Sequence, residues 1–158
     1  MIAWKQHREA LFALIPAAIA VAALATYYIH GPFNIYINTT NSMPRGVYIK
    51  ANIPIGPGTT VIFPSSVIAN PDPRVPMYLL KKVLPYHGEL VTINHEGLFF
   101  DSTLIARREI NEGIDFYRSV LPPGWVLVIG ESERSYDSRY FGPVKLADLF
   151  AARPLLTW

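Results

Sequence analysis

The sequence predicts a mostly β protein, an antiparallel sheet domain behind one N-terminal transmembrane helix, and three observations carry that prediction. A run of nineteen residues without a formal charge, 11–29, stands alone near the N-terminus. Beyond residue 30 no stretch keeps a long 3.6-residue apolar period, and short β-branched or aromatic runs take its place. Thirteen of the fourteen prolines also lie beyond residue 30, where they and glycine punctuate those runs.

Residues 1–10 carry Lys5 and Arg8, and the next basic residue after the apolar run is Arg45. By the positive-inside tendency the first ten residues stay in the cytoplasm and the chain after residue 30 is exported. As a helix, residues 11–29 span ~28 Å, close to the thickness of a hydrocarbon core. Trp4 at one end and Tyr27 and Tyr28 at the other suit the two headgroup interfaces. Two other readings stay open. Ala23-Leu24-Ala25 offers a small-x-small cleavage site for a removed signal peptide, and an apolar helix can also be buried in a core.

Residues 31–158 amount to one domain, large enough to build a core without disulfide or metal staples. Expected strands are 47–50, 59–63, 78–84, 89–93, 98–100 and 125–129, separated by turns such as His87-Gly88 and Pro122-Pro123-Gly124. The four prolines of 64–76 predict an irregular surface loop, and one short helix is expected near 145–152.

Composition excludes several chemistries. With no Cys there is no thiol nucleophile, thiolate zinc site, iron–sulfur cluster or disulfide scaffold. The four His, at 7, 30, 87 and 95, form no i, i+4 pair, so no metal site is expected. No Gly-x-Ser-x-Gly elbow of the α/β-hydrolase type occurs, and Gly56-x-Gly58 is a Pro-Gly turn without the following helix of a phosphate cradle. After the apolar run 12 Lys/Arg face 11 Asp/Glu, a balance that indicates no nucleic-acid partner. No cofactor is implied.

Three segments carry possible chemistry. In Asn38-Thr39-Thr40-Asn41-Ser42-Met43-Pro44-Arg45-Gly46 a cluster of small polar residues precedes a Pro and a strand, which by itself is also what a loop leaving an anchor looks like. In Tyr78-Leu79-Leu80-Lys81-Lys82-Val83 two lysines sit inside an apolar strand. Side chains alternate along a strand, so Leu79, Lys81 and Val83 share one face while Tyr78, Leu80 and Lys82 share the other. If either face enters a core, one lysine goes with it, and burial favours the neutral amine that can act as a base. An edge strand guarded by lysines is the alternative. The third segment, Gly130 to Val144, is polar and rich in hydroxyls after a strongly apolar strand, and is either a solvated connection or a support for a neighbouring amine.

Together these segments resemble the type I signal peptidase superfamily of membrane-tethered serine–lysine proteases. Ser42-Met43-Pro44-Arg45-Gly46-Val47-Tyr48 resembles its nucleophile box, Lys81-Lys82-Val83 with Gly88-Glu89 its lysine box, and Gly130 to Gly142 its third box. The conjugative-transfer branch, the TraF-type peptidases, is the closer match: Asn38-x-Thr40-x-Ser42-x-Pro44-x-Gly46-x-Tyr48, residues 135–144 and the terminal Arg153-Pro154-Leu155-Leu156-Thr157-Trp158 resemble it. Glu131-Ser132 in place of Asp-Asn, Lys82 in place of Arg and a shortened third box point away from a housekeeping signal peptidase.

The resemblance implies acyl transfer by a Ser-Lys dyad. Ser42 is then the nucleophile and Lys81 the base. The Ser42 backbone N–H, with the Thr40 hydroxyl, holds the oxyanion. Ser135 hydrogen-bonds the Lys81 amine, while Asp137 and Arg139 form an ion pair that supports the third loop. It also implies a periplasmic domain, residues 31–158, on the bacterial inner membrane. The expected partners are a pilin-like or other membrane-delivered precursor, the lipid bilayer and components of a conjugation or type IV secretion apparatus. A housekeeping signal peptidase and a non-enzymatic anchored assembly factor are the alternative functions.

Overall fold

The computed structural model describes residues 14–22, 24, 35–69, 71–109 and 113–158. Two units are distinct, 1–36 and 37–158. In the first, residues 14–22 and 24 are helical, and their large apolar side chains, Leu14, Ile15, Ile19, Val21 and Leu24, are exposed. No helix among the described residues is long and apolar enough to cross a membrane. The expected cytoplasmic segment 1–10 and both ends of the 11–29 run lie outside the described residues.

The remainder is mostly β, as expected. Twelve strands follow in chain order: β1 Ile35–Asn38, β2 Gly46–Lys50, β3 Thr60–Pro64, β4 Tyr78–Val83, β5 Val91–Ile93, β6 Gly97–Phe100, β7 Thr103–Arg107, β8 Tyr117–Ser119, β9 Trp125–Val126, β10 Val128–Ile129, β11 Val144–Lys145 and β12 Phe150–Thr157. They form a six-stranded sheet in the order β1-β2-β12-β3-β4-β10, a four-stranded sheet β7-β6-β5-β8 and the pair β11-β9. The pairings of β12 with β2 and β3, β3 with β4, β4 with β10, and those within the four-stranded sheet are antiparallel.

Each sheet has its own apolar core. Val61, Phe63, Leu79, Val83, Val128, Phe141, Val144 and Leu149 pack under the larger sheet. Val91, Ile93, Leu98, Leu121 and Leu127 pack under the smaller one. Burial of such side chains at ~25 cal/mol per Å² is the main favourable contribution to this fold.

Three expectations need correction. The helix near 145–152 is only a single 3₁₀ turn at Leu146–Asp148, and the chain then runs extended as β12. Pro143 before and Pro154 after leave too few residues for a stable helix, while β12 gains hydrogen-bonding partners on both sides, β2 and β3. The expected strand 125–129 is two strands in different sheets: β9 pairs with β11, and β10 with β4. Within the third segment a short helix, α1 Ser138–Phe141, forms where a loop was expected. Its N-cap is Asp137, whose carboxylate accepts the Arg139 N–H. The 64–76 segment is irregular apart from a 3₁₀ turn at Ser65–Val67.

Candidate active site

The strand alternation of β4 resolves the two lysines. Leu79, Lys81 and Val83 are 5%, 2% and 4% exposed, so Lys81 shares the core-facing side with two members of the larger core. Lys82 points the other way and pairs with Glu131 at a half-exposed position. Burial lowers the Lys81 amine from the ordinary lysine value to about 8, outweighing the nearby Asp137 carboxylate that raises it; Arg139 lowers it further. An ammonium here is poorly solvated, and a neutral amine is within reach of physiological pH.

Register carries Lys81 toward the third segment. β10 pairs Val128 with Val83 and Ile129 with Lys82, and Gly130 is the first residue after that strand. Gly130 is where the other segments meet. A Cβ built on it would lie 2.0 Å from Ser135 Oγ and 2.6 Å from the Ser42 carbonyl oxygen, so only glycine fits. The next residue closes the contact, the Glu131 N–H donating to the Ser42 carbonyl over 2.7 Å.

Ser42 itself is half-buried, at the tip of the loop between β1 and β2. Its hydroxyl lies 3.0 Å from the Thr40 hydroxyl. Asn38 organises this loop: its Nδ2 donates to the carbonyls of Thr40, Met43 and Pro44, and its Oδ1 accepts from the Thr40 N–H and hydroxyl. Tyr48 of β2 donates its hydroxyl to the Pro44 carbonyl over 2.7 Å. Burial, and secondarily Glu131, raise the Tyr48 pKa, which keeps that phenol a donor.

Below Gly130 lies a fully buried ion pair. Arg139 Nε and Nη2 donate to the two oxygens of Asp137, each over 2.8 Å. Arg139 also donates to the carbonyls of Arg107, Ser132, Glu133 and Ser135, so its guanidinium ties the whole third segment to β7. The Gly130 N–H donates to Asp137 over 2.9 Å, and the Val128 N–H to the Ser138 hydroxyl over 2.8 Å. These bonds fix the end of β10 and the turn that follows it.

Among the residues chosen from sequence, Ser42 and Ser135 meet at Gly130, Thr40 lies beside Ser42, Asp137 bonds Gly130 and Arg139, and Lys81 feels the charges of Asp137 and Arg139. One expected contact is absent. The buried Ser135 hydroxyl makes no hydrogen bond to Lys81 or to any other described residue. Its backbone is pinned through the Ser135 N–H to Ser132 and through its carbonyl to Arg139, which aims the side chain at Gly130. Sequence reasoning missed Asn38, Gly130 and Ser138 as working residues. All three stood inside the motifs, and only the contacts show what they hold. Beside the site an open cleft of about 370 Å³ runs between β7 with Arg108 and Glu109 on one side and residues 129–133 on the other. Among the described residues no group of three or more side chains is placed to hold a metal ion.

A β domain that carries a loop serine, a buried lysine and a supporting polar network has the composition of a peptidase site. Residues 7–158 match the model described as signal peptidase, peptidase S26, and the chain belongs to that family of peptidase hydrolases. It is 33% identical over 146 residues to a plasmid transfer protein TraF of Escherichia coli, an alignment covering 77% of this chain and 82% of that one. It is 30% identical over 177 residues to the conjugal transfer protein TraF of Agrobacterium tumefaciens (strain 15955), covering 97% of this chain and 98% of that one. Among solved structures, a signal peptidase I from Enterococcus faecalis V583 is 23% identical, with a TM-score of 0.38, covering 68% of this chain and 100% of that chain.

Proposed function

We propose that this protein is a membrane-anchored serine endopeptidase of a conjugation apparatus, using Ser42 and Lys81 as its dyad to process a membrane-delivered precursor such as a conjugative pilin. The observation that carries the chemistry is Lys81: a lysine 2% exposed, on the core side of β4, with its amine lowered to about 8. Burying an amine this deeply disfavours its charged form, and without a role as base that arrangement only destabilises the fold. The conjugative context is supported by the similarity to a plasmid transfer protein and a conjugal transfer protein.

In this reading neutral Lys81 takes the Ser42 hydroxyl proton as Oγ attacks the scissile carbonyl. The developing oxyanion is held by the Ser42 N–H and the Thr40 hydroxyl. The tetrahedral intermediate collapses to an acyl-enzyme, and the Lys81 ammonium returns its proton to the departing amine. Water, activated by the same amine, then releases the acyl group and regenerates Ser42. The Asp137–Arg139 pair keeps Gly130 and Ser135 in place. An extended substrate segment lies in the cleft beside residues 129–133 and adds a strand along β7, with small side chains near the scissile bond. The exposed apolar side chains of residues 14–22 and 24 and the apolar run 11–29 support the anchor.

The test is to incubate the full chain with candidate pilin precursors and weigh the products. Wild type is expected to release a defined fragment. Ser42→Ala and Lys81→Ala are each expected to lose at least ~10³-fold in rate with the fold intact by circular dichroism. A Ser42→Ala protein that still cleaves at the wild-type rate would end this reading.

A further inference from the structure

Resting on the assignment of Ser42 as nucleophile, we infer that Asn38 is a positioning residue that sets the hydroxyl protons of Thr40 and Ser42 through a directed hydrogen-bond chain. Proton counting orients the chain. One end of the Asn38 side chain faces three carbonyls, those of Thr40, Met43 and Pro44, at 3.1, 2.9 and 3.0 Å. Carbonyls only accept, so that end is the NH₂ group and the other end is the amide oxygen. The amide oxygen cannot donate. It lies 3.2 Å from the Thr40 nitrogen and 2.8 Å from the Thr40 hydroxyl, so both of those donate to it. A threonine hydroxyl has a single proton. With that proton committed to Asn38, the 3.0 Å contact between the two hydroxyls has one polarity: Ser42 donates and Thr40 accepts.

The chain therefore runs from Ser42 through Thr40 to Asn38, and in the free protein it holds the Ser42 proton on the Thr40 side. For the chemistry both hydroxyls must turn. Ser42 must present its proton to the base, and Thr40 must present its own to the oxyanion. Asn38 keeps the Thr40 backbone N–H when this happens, so the loop stays in place while the two rotors reorient. The same amide thus fixes the loop through its NH₂ end and sets the starting polarity of the site through its oxygen.

The two duties are separable because Thr40→Val removes the hydroxyl chain but leaves the NH₂ end and its three carbonyls untouched. Four full-length proteins are compared for kcat and KM on one precursor: wild type, Asn38→Ala, Thr40→Val and the double variant, with Ser42→Ala beside them. Asn38→Ala is expected to lower kcat by ~10-fold or more with KM changed by less than ~3-fold, because Thr40 loses the acceptor that holds its hydroxyl beside Ser42, and in the Thr40→Val background the loss is expected to be at least ~3-fold smaller, the remainder coming from the loop bonds of the NH₂ end. Thr40→Ser, which keeps the hydroxyl, is expected to restore the full effect of Asn38→Ala. Equal losses in both backgrounds, with Ser42→Ala inactive, would overturn the role of Asn38 and leave the dyad standing. An active Ser42→Ala would overturn both. Should Asn38→Ala not fold, neutron diffraction on the deuterated wild type decides: deuterium on Ser42 Oγ aimed at Thr40, and on Thr40 aimed at Asn38, is expected, and a Thr40 deuterium aimed at Ser42 overturns the chain.

Discussion

Lys81 is the residue at which stability and the proposed chemistry oppose each other. Its folded amine titrates at about 8, whereas an exposed lysine in the unfolded chain holds its proton to about 10.5. Between those values the unfolded state binds more protons, so stability rises with pH across that window; below about 8 both states are protonated and the fold carries a constant penalty. At ~1.4 kcal/mol per pH unit this penalty is of order 3 kcal/mol. Lys81→Met is accordingly expected to be more stable than wild type at pH 7 by up to about that amount in urea unfolding, and to lose its advantage by pH 10.5. Wild-type cleavage is expected to rise with pH to a plateau with an apparent midpoint near 8, since only the neutral amine accepts the Ser42 proton. The neighbouring lysine provides the control. Lys82 and Glu131 are 43% and 45% exposed, and a pair in that setting contributes ~1 kcal/mol or less, so Lys82→Ala is expected to keep both the rate and the pH profile. A pH profile that shifts in Lys82→Ala and not in Lys81→Arg would contradict this division. Alternation along β4 put the two lysines on opposite faces from sequence alone. Which face meets the core depended on β3 and β10, strands distant in sequence, and only the fold supplied it.

The elements differ in how legible they were, for a physical reason. Strands bounded by Pro or Gly turns and carrying β-branched or aromatic residues, β2 through β6, were visible because local pattern and final structure agree. β12 was not, because Phe150-Ala151-Ala152-Arg153-Pro154-Leu155 has no strand period, and its extended form comes from pairing with β2 and β3 on either side. Its passage demands glycine at position 46, where a Cβ would stand 2.1 Å from the Leu156 carbonyl oxygen. Two glycine substitutions then separate scaffold from site. Gly46→Ala is expected to lower the melting temperature by forcing β2 and β12 apart, with the activity of the remaining folded protein little changed. Gly130→Ala is expected to lose at least ~100-fold in kcat, because its methyl displaces Ser135 and the Ser42 carbonyl together. Removing one partner of the buried Asp137–Arg139 pair strands a charge, and Asp137→Ala is expected to lose ~3–5 kcal/mol of stability. Calorimetry beside initial rates distinguishes all three; a Gly130→Ala protein with wild-type turnover would remove that glycine from the site.

At the scale of the whole molecule, the site is assembled from three stretches of chain, the loop after β1, β4 and the turn following β10, each of which read in isolation as an ordinary loop or strand. The six-stranded sheet sets β4 beside β10, and just past β10 the Glu131 N–H donates to the Ser42 carbonyl. Where that assembly works is a question for the N-terminal residues. Lys5 and Arg8 precede the apolar run and no basic residue follows it until Arg45, an asymmetry that under the positive-inside tendency supports the proposed orientation, with the first ten residues in the cytoplasm and the rest exported. The helical residues 14–22 and 24 expose Leu14, Ile15, Ile19, Val21 and Leu24, and water is a poor environment for so continuous an apolar face. The full chain is therefore expected to sediment with inner membranes and to resist extraction at alkaline pH, and its N-terminal sequence is expected to be that of the initiating segment. Protease added to spheroplasts is expected to digest residues 31–158, while intact cells protect them. A soluble periplasmic product beginning at Thr26 would mean instead that the apolar run is a removed signal, and protection of the domain in spheroplasts would reverse the orientation.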